Sequence, residues 1–191
     1  MLTVRPLGPE LLPDFLAFFD RDAFADNPKW GSCYCHFPHA DHAKVVWHER
    51  TGVDNRLASS TLICDGRMQG WLAYADGRPI GWCNAGPRPL IDGLFGEADP
   101  EGGRIGAIAC FVIAPPWRRK GVASALLNAA CEGFAARGLE WAEAYPLTGE
   151  QTAAQHHFGP LEMYRHAGFE VHREEADRVC VRKRLEPRAE S

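Results

Sequence analysis

The stretch ACFVIAPPWRRKGVASALLNAA, residues 109–130, decides how this chain folds. It begins inside a longer apolar run that a double proline ends, and this run predicts a buried strand over Ile105–Ile113. Basic residues 118–120 and Gly121 follow, and apolar residues then recur at helical spacing. The spacing predicts a helix over residues 121–137. The segment therefore predicts a strand, a basic turn and a helix in direct succession.

The start of this predicted helix is suited to bind an anion. The first N–H groups of a helix lack partners within the helix and lie at the positive end of its dipole, so a phosphate accepts several hydrogen bonds there. Gly121 permits close approach to the backbone. Arg118, Arg119 and Lys120 add local positive charge. We therefore expect the turn to bind a diphosphate.

Other elements follow from hydrophobic periodicity and turn residues. The clearest is a hairpin, in which Asp76-Gly77 joins strands over residues 71–75 and 79–85. Residues 86–103 contain many Gly and Pro and predict a loop. The remaining predictions are helices over residues 10–19, 41–49, 55–67 and 159–166 and strands near residues 3–5, 139–145, 170–173 and 178–185.

The basic turn also carries a recognisable pattern. The chain has neither the P-loop pattern nor a G-x-G-x-x-G after a strand, which leaves a nucleoside triphosphate or dinucleotide site without support. It does have R-x-x-G-x-A at residues 118–123. With Ile113 and Pro115 before it, this segment resembles the acyl-CoA signature of the GNAT superfamily of N-acyltransferases. A second similar segment is LEMYRHAGFEV, residues 161–171.

The resemblance implies an α/β fold of the α+β type, with a mixed, splayed central sheet flanked by helices. It implies one domain over residues 1–191, with a core of about 1–186 and a short polar tail, and an N-acetyltransferase that uses acetyl-CoA as the donor cosubstrate. The pantetheine arm would pair with residues 111–113 like an extra strand. The implied donor-binding residues are Phe111, Val112, Ile113, Arg118, Arg119, Lys120, Gly121, Val122, Ala123 and Ser124.

The resemblance also implies direct attack of an acceptor amine on the thioester, with Tyr164 as general acid and no covalent enzyme intermediate. A phenol with a pKa of about 10 is able to protonate the departing thiolate. The alternative role of Tyr164 is packing as a half-buried helix residue.

The general base is harder to identify. Many family members carry an acidic residue on the strand before the basic turn, whereas residues 106–110 are Gly-Ala-Ile-Ala-Cys here. Glu143 on the following predicted strand is the nearest candidate, with His156 and His157 behind it, and each has a structural alternative. The missing acid keeps open a non-catalytic acyl-CoA sensor.

The loop over residues 26–39 is a candidate for the acceptor site. It places Trp30, Tyr34 and Phe37 among turn-forming residues, and such an apolar load is costly in water. We expect the loop to meet the second hairpin strand, which carries Trp82. Trp30, Tyr34 and Trp82 would then line the wall where a small-molecule or peptide amine binds. The identity of that amine stays open, although the net charge of −4 favours a cationic one.

The same loop raises an alternative in which it binds a metal. Cys33, Cys35, His36 and His39 are ligand types that Zn²⁺ prefers, and a zinc site uses four of them. The spacing differs from that of standard zinc fingers, and the thiols can equally pack beneath the aromatic side chains. We therefore expect no metal and keep a Cys/His metal-binding module as an alternative.

Composition excludes several classes of protein. The 191 residues are 46% hydrophobic and 24% charged, as in ordinary globular proteins. A net charge of −4 provides no general attraction to nucleic acid or to a membrane surface. No apolar run reaches the ~20 residues that span a bilayer, no secretory signal is evident, and the seven scattered cysteines fit a reducing compartment. We expect a cytoplasmic protein, with a homodimer through an edge strand as an open alternative.

Overall fold

A seven-stranded sheet organises the computed structural model, which describes residues 1–91, 100–149 and 157–186. The strands are β1 (Leu2–Pro6), β2 (Gly70–Ala75), β3 (Arg78–Pro87), β4 (Ile105–Ile113), β5 (Trp141–Ala144), β6 (Glu170–Glu174) and β7 (Val179–Arg184). The helices of more than one turn are α1 (Leu12–Arg21), α2 (Gly52–Cys64), α3 (Val122–Ala136) and α4 (Leu161–His166).

The sheet has the order β1-β2-β3-β4-β5-β7-β6 and is mixed. Neighbouring strands are antiparallel except for β4 and β5, which run parallel. That pairing extends only from Ile105 opposite Trp141 to Ile108 opposite Ala144. Strand β5 ends at Ala144, so β4 continues from Ala109 to Ile113 without a β5 partner among the described residues. The predicted mixed, splayed α/β fold is confirmed.

Each face of the sheet is covered by a different part of the chain. On one face α3 packs Leu126 and Phe134 against Trp71 of β2 and the apolar residues of β3 and β4. On the other face α1 packs Phe15 against Trp82, with ring centroids 5.1 Å apart. The splay between β4 and β5 therefore lies between two well-packed layers.

One predicted helix is wrong. Residues 41–49 form turns followed by a single 3₁₀ turn over Trp47–Glu49. The side chain of Asp41 accepts a hydrogen bond from the backbone N–H of Ala43 at 3.1 Å. Such local side-chain bonding competes with a helix, and the β-branched Val45 and Val46 disfavour one further.

Several element boundaries differ from those predicted. Helix α2 begins at Gly52 rather than at residue 55, because Thr51 and Asp54 form a capping box at its start. Strand β3 extends through Pro87, into the predicted loop 86–103. Residues 92–99 of that loop and the candidate His156 lie outside the described residues. Among the helices that are described, none has the length and apolar character needed to cross a membrane.

Candidate active site

The edge of β4 that faces away from β3 is the first feature of the site. We call it the open edge, from Ala109 to Ile113. Ala109 is a bulge, since Ile108 lies opposite Ala85 while Cys110 lies opposite Asn84. Past this bulge β4 has no β5 partner in the described residues.

The backbone groups that face the open edge follow from the register. The N–H of Ala114 donates to the carbonyl of Ile80 at 3.0 Å. Because hydrogen-bonded and non-hydrogen-bonded pairs alternate in an antiparallel ladder, Val112 bonds to β3. Phe111 and Ile113 therefore direct their N–H and C=O groups to the open edge, where an extended ligand can pair with them.

The open edge leads directly to the start of α3. Arg119 and Gly121 both have left-handed backbone angles, with φ of 58° and 79°. No described side chain caps this helix, and the first N–H bonded within it is that of Ala125, which donates to the carbonyl of Gly121. The preceding N–H groups are thus available to an anion at the positive end of the helix.

Two basic side chains of the turn, those of Arg118 and Lys120, have different surroundings. The guanidinium of Arg118 binds both oxygens of Asp26, at 2.5 and 3.1 Å, and its Nε donates to the carbonyl of Ile113. The ammonium of Lys120 lies 5.4 Å from the centroid of the Trp117 ring. Arg118 is therefore engaged with a carboxylate, a contact that the sequence did not indicate.

Tyr164 lies on α4, buried between the rings of Phe111 and Phe169. Its hydroxyl donates to the carbonyl of Phe158 at 2.6 Å. Burial, reinforced by the neighbouring Cys83, Cys110 and Cys131 thiols, raises the pKa of Tyr164 well above its usual value. The phenol therefore keeps its proton, as a general acid must, but must turn away from this carbonyl to reach a sulfur.

Glu143 lies on β5, with its side chain fully buried. Arg88, directly after β3, reaches it with an N–O distance of 3.0 Å, and both Arg182 of β7 and the hydroxyl of Tyr145 donate to it. Two cations and a phenol thus stabilise the carboxylate. These contacts favour a structural role over the predicted role as the base, which stays a prediction.

The loop that carries Tyr34 and the strand β3 do meet, as expected, through Asn84. The buried side-chain amide of Asn84 donates to the carbonyl of Cys35 at 3.2 Å and lies 3.3 Å from its sulfur. It also lies 3.0 Å from Nε2 of His39. Tyr34 and Cys35 adopt left-handed angles, with φ of 44° and 52°, which is rare outside glycine. Asn84 therefore fixes a strained turn against the centre of the sheet.

The three predicted wall residues differ in exposure. Trp30 is half-buried and its ring contacts Phe24 edge-on. Tyr34 stacks on Phe19, and its hydroxyl donates to Asp20 at 2.7 Å. Trp82 is fully buried against α1. The structure thus brings Trp30 and Tyr34 to the surface of one aromatic layer and places Trp82 beneath it.

The described residues contain no group of three or more His, Cys, Asp or Glu side chains placed to hold a metal ion. Burial lowers the pKa of His36 and of His39 to about 4. Nδ1 of His39 faces the carbonyl of Leu90 at 3.2 Å, so this nitrogen carries the proton and Nε2 accepts from Asn84. His36 and His39 are therefore packed as neutral side chains.

Comparison with known proteins establishes the family. The model of the acetyltransferase (GNAT) family matches residues 28–169. The chain belongs to the GNAT family. No curated protein matches it significantly in sequence.

Solved GNAT-like structures share the fold over nearly the whole chain. A phosphinothricin acetyltransferase from Sinorhizobium meliloti, in complex with acetyl-CoA, has a TM-score of 0.57 and 16% identity, covering 96% of this chain and 88% of its own. A ribosomal-protein-alanine N-acetyltransferase from Brucella melitensis has a TM-score of 0.58 and 16% identity, covering 96% and 99%. The PaiA N-acetyltransferase from Thermoplasma acidophilum, in complex with coenzyme A, has a TM-score of 0.53 and 14% identity, covering 97% and 99%.

Sequence reasoning missed three side chains of this GNAT site. Asp26, Asn84 and Arg88 reach their partners across 92, 49 and 55 residues of chain, respectively. A buried Asn inside an apolar strand was the one available signal, because a buried amide needs partners. Nothing in the local sequence around Asp26 pointed to Arg118.

Proposed function

We propose that this GNAT acetyltransferase transfers an acetyl group from acetyl-CoA to a primary amine. The observation that carries the proposal is the continuity of the open edge of β4 with the uncapped start of α3. An elongated ligand with amide groups at one end and a diphosphate at the other matches this arrangement. Acetyl-CoA has that chemistry, and solved structures of the same fold contain it or coenzyme A.

In the proposed complex the donor lies along both parts of the site. The pantetheine amides pair with the outward-facing groups of Phe111 and Ile113, as a strand would. The diphosphate accepts hydrogen bonds from backbone N–H groups between Arg119 and Ser124, with added attraction from Lys120. The left-handed angle of Gly121 turns the backbone toward the phosphates.

The chemistry is direct attack of the neutral amine on the thioester carbonyl. A backbone N–H of the open edge near Ile113 stabilises the negative charge that develops on the carbonyl oxygen. Tyr164 donates its proton to the departing thiolate, since its raised pKa keeps it protonated at neutral pH. The proton of the amine goes to a base, for which Glu143 remains a prediction that its three donors disfavour.

The proposed acceptor is a small-molecule or peptide amine. Two proteins of the same fold are named for amine acceptors, phosphinothricin in one case and a ribosomal-protein alanine in the other. In this chain the half-buried Trp30 and Tyr34 form the aromatic surface available to such a molecule. The acidic overall charge supports a cationic acceptor.

A non-catalytic acyl-CoA sensor is the second candidate. The observation that favours it is the lack of an acid on β4 combined with the engagement of Glu143. A sensor would bind acetyl-CoA through the same open edge without consuming it.

The test is turnover with a panel of amines. Purified protein is incubated with acetyl-CoA and amino acids, polyamines, aminoglycosides or peptides, and the release of free CoA thiol is followed together with the mass of the product. We expect release that depends on one class of amine and a product heavier by one acetyl group. Binding of acetyl-CoA without turnover across the panel would favour the sensor, and absence of binding would reject both candidates.

A further inference from the structure

The surroundings of Arg118 suggest how the donor site is controlled. Its guanidinium meets Asp26 in a two-pronged ion pair, at 2.5 and 3.1 Å. The same side chain donates from Nε to the carbonyl of Ile113 at 3.0 Å. Both charged groups are about half exposed, at 44% and 47%, so the pair is open to exchange with solvent ions.

The carbonyl that Arg118 occupies belongs to the open edge. Ile113 lies opposite Gly81 in a non-hydrogen-bonded pair, which directs its C=O away from β3. A donor that pairs along β4 needs this carbonyl as an acceptor. Arg118 therefore covers the last position of the edge, next to the turn that leads into α3.

We propose that Asp26 is a positioning residue that holds Arg118 across the end of the donor track, forming a latch that the donor must open. The Asp26–Arg118 latch rests on the proposed function, because the donor track is the open edge. Pantetheine competes for the carbonyl of Ile113, and the diphosphate competes with the Asp26 carboxylate for the guanidinium. A planar guanidinium fits carboxylate and phosphate oxygens equally well, which makes this exchange chemically direct.

Opening the latch also affects the predicted acceptor wall. In the sequence Asp26 follows Phe24 and precedes Trp30; the centroids of these two rings are 6.5 Å apart, and the N–H of Trp30 donates to the carbonyl of Asn27. Release of Asp26 frees this short segment from the turn before α3.

Calorimetric titration with CoA tests the latch. The variants are Asp26→Asn, Arg118→Gln and the double substitution, compared with the wild-type chain. Asp22→Asn is the matched control, because it removes one negative charge four residues away and, within the described part of the chain, disturbs only the long 3.7 Å pair with Arg78. The double variant separates the latch from a general effect of charge, since coupled residues give non-additive changes.

We expect Asp26→Asn to bind CoA about fivefold more tightly, the upper range for an exposed ion pair. The KM for acetyl-CoA should fall to match. Asp26→Asn should not increase the affinity for CoA when Arg118→Gln is also present, and Asp22→Asn should bind CoA like the wild type.

Three results would overturn the latch. They are unchanged or weaker CoA binding by Asp26→Asn, an equal gain from Asp22→Asn, and a gain that persists without Arg118. If Arg118→Gln alone abolishes CoA binding, the double variant gives no information. The latch is then supported if Asp26→Asn binds CoA more tightly than Asp22→Asn, and it is rejected if the two variants bind CoA alike. Failure of every variant and of the wild type to bind CoA would reject the proposed function together with the latch.

Discussion

The proposed donor region and the proposed acceptor loop differ in what determines their conformation. The proposed donor region, residues 105–136, is one contiguous strand, turn and helix, and the groups that we propose bind the donor are mostly backbone N–H and C=O. The proposed acceptor loop, residues 26–50, contains short 3₁₀ turns and other turns but no α-helix or strand. Its shape depends on distant side chains: Asn84 holds Cys35, Asn55 holds the carbonyl of Ser32, and Ser59 holds that of Tyr34.

This difference explains why the sequence predicts the structure of the proposed donor region better than that of the proposed acceptor loop. A backbone site requires a certain sequence of local conformations, and local conformations leave a pattern such as a glycine after basic residues. A side-chain site requires partners that are separated along the chain, and a single sequence does not identify them. Predictions about the donor region are accordingly sharper than those about the acceptor loop.

The largest effect is expected at the start of α3. Gly121→Glu should weaken CoA binding by about 100-fold or more, because it places a carboxylate at the proposed diphosphate site and strains a φ of 79°. Gly138→Glu is the matched control, since Gly138 follows α3 with a φ of 76° and open space around it. Calorimetry in which both variants bind CoA alike would remove the donor site from α3.

The second-largest effect is expected on protein stability, at the buried Glu143 of β5. Glu143→Gln should lower the free energy of unfolding by about 3–5 kcal/mol, because it removes the charge that two buried guanidinium groups face. Glu140→Gln breaks the exposed pair with Arg104 and should change the free energy of unfolding much less, because solvent screens that pair. Urea unfolding measures both changes.

Kinetics of Glu143→Gln at a temperature where it is folded then separate structure from catalysis. We expect a kcat near that of the wild type. A kcat lowered about 100-fold with little loss of stability would instead identify Glu143 as the general base.

The third effect is on the chemical step. Tyr164→Phe should lower kcat by about 100-fold with little change in the KM for acetyl-CoA, since the hydroxyl acts when charge develops on the sulfur. Tyr74→Phe is the control, because its hydroxyl donates to Asp14, remote from the open edge. Steady-state rates equal to the wild type in both variants would return Tyr164 to a packing role.

Much of the fold was predictable, and the failures have physical causes. Strand β4 and helix α3 were recognised because an apolar run and a helical spacing are strong local signals. The helix predicted over residues 41–49 failed because Asp41 bonds its own neighbouring backbone, which periodicity does not register.

The candidate site was predictable to a smaller extent. The basic turn was located, yet the engagement of Arg118 by Asp26 and of Glu143 by Arg88 was not. Both contacts join segments that only the completed sheet brings together. Charge counts along the chain contain no information about such pairs.

The fourth effect tests the packing of the acceptor loop by pH. The pKa of His36 and of His39 is lowered from 6.5 to about 4, chiefly by burial. The unfolded chain therefore binds more protons between about pH 4 and 6.5, so stability should fall as the pH decreases through this window. Urea unfolding at pH 7 and 4.5 measures the loss. His39→Gln should reduce this loss, whereas His48→Gln, at an exposed position, should leave it unchanged.

The smallest effect is expected at the aromatic surface of the acceptor loop. Trp30→Ala and Tyr34→Ala should each raise the KM for the acceptor about fivefold, the loss of one modest apolar contact, and leave the KM for acetyl-CoA nearly unchanged. Tyr34→Phe keeps the ring stacked on Phe19 while it removes the bond to Asp20. If Tyr34→Phe has the same KM for the acceptor as the wild type, the increase seen in Tyr34→Ala is therefore due to loss of the ring and not of the hydroxyl. A different outcome is that both alanine variants lose cooperative unfolding while Tyr34→Phe unfolds cooperatively. The loop would then be a structural element, and the acceptor would bind elsewhere along the sheet.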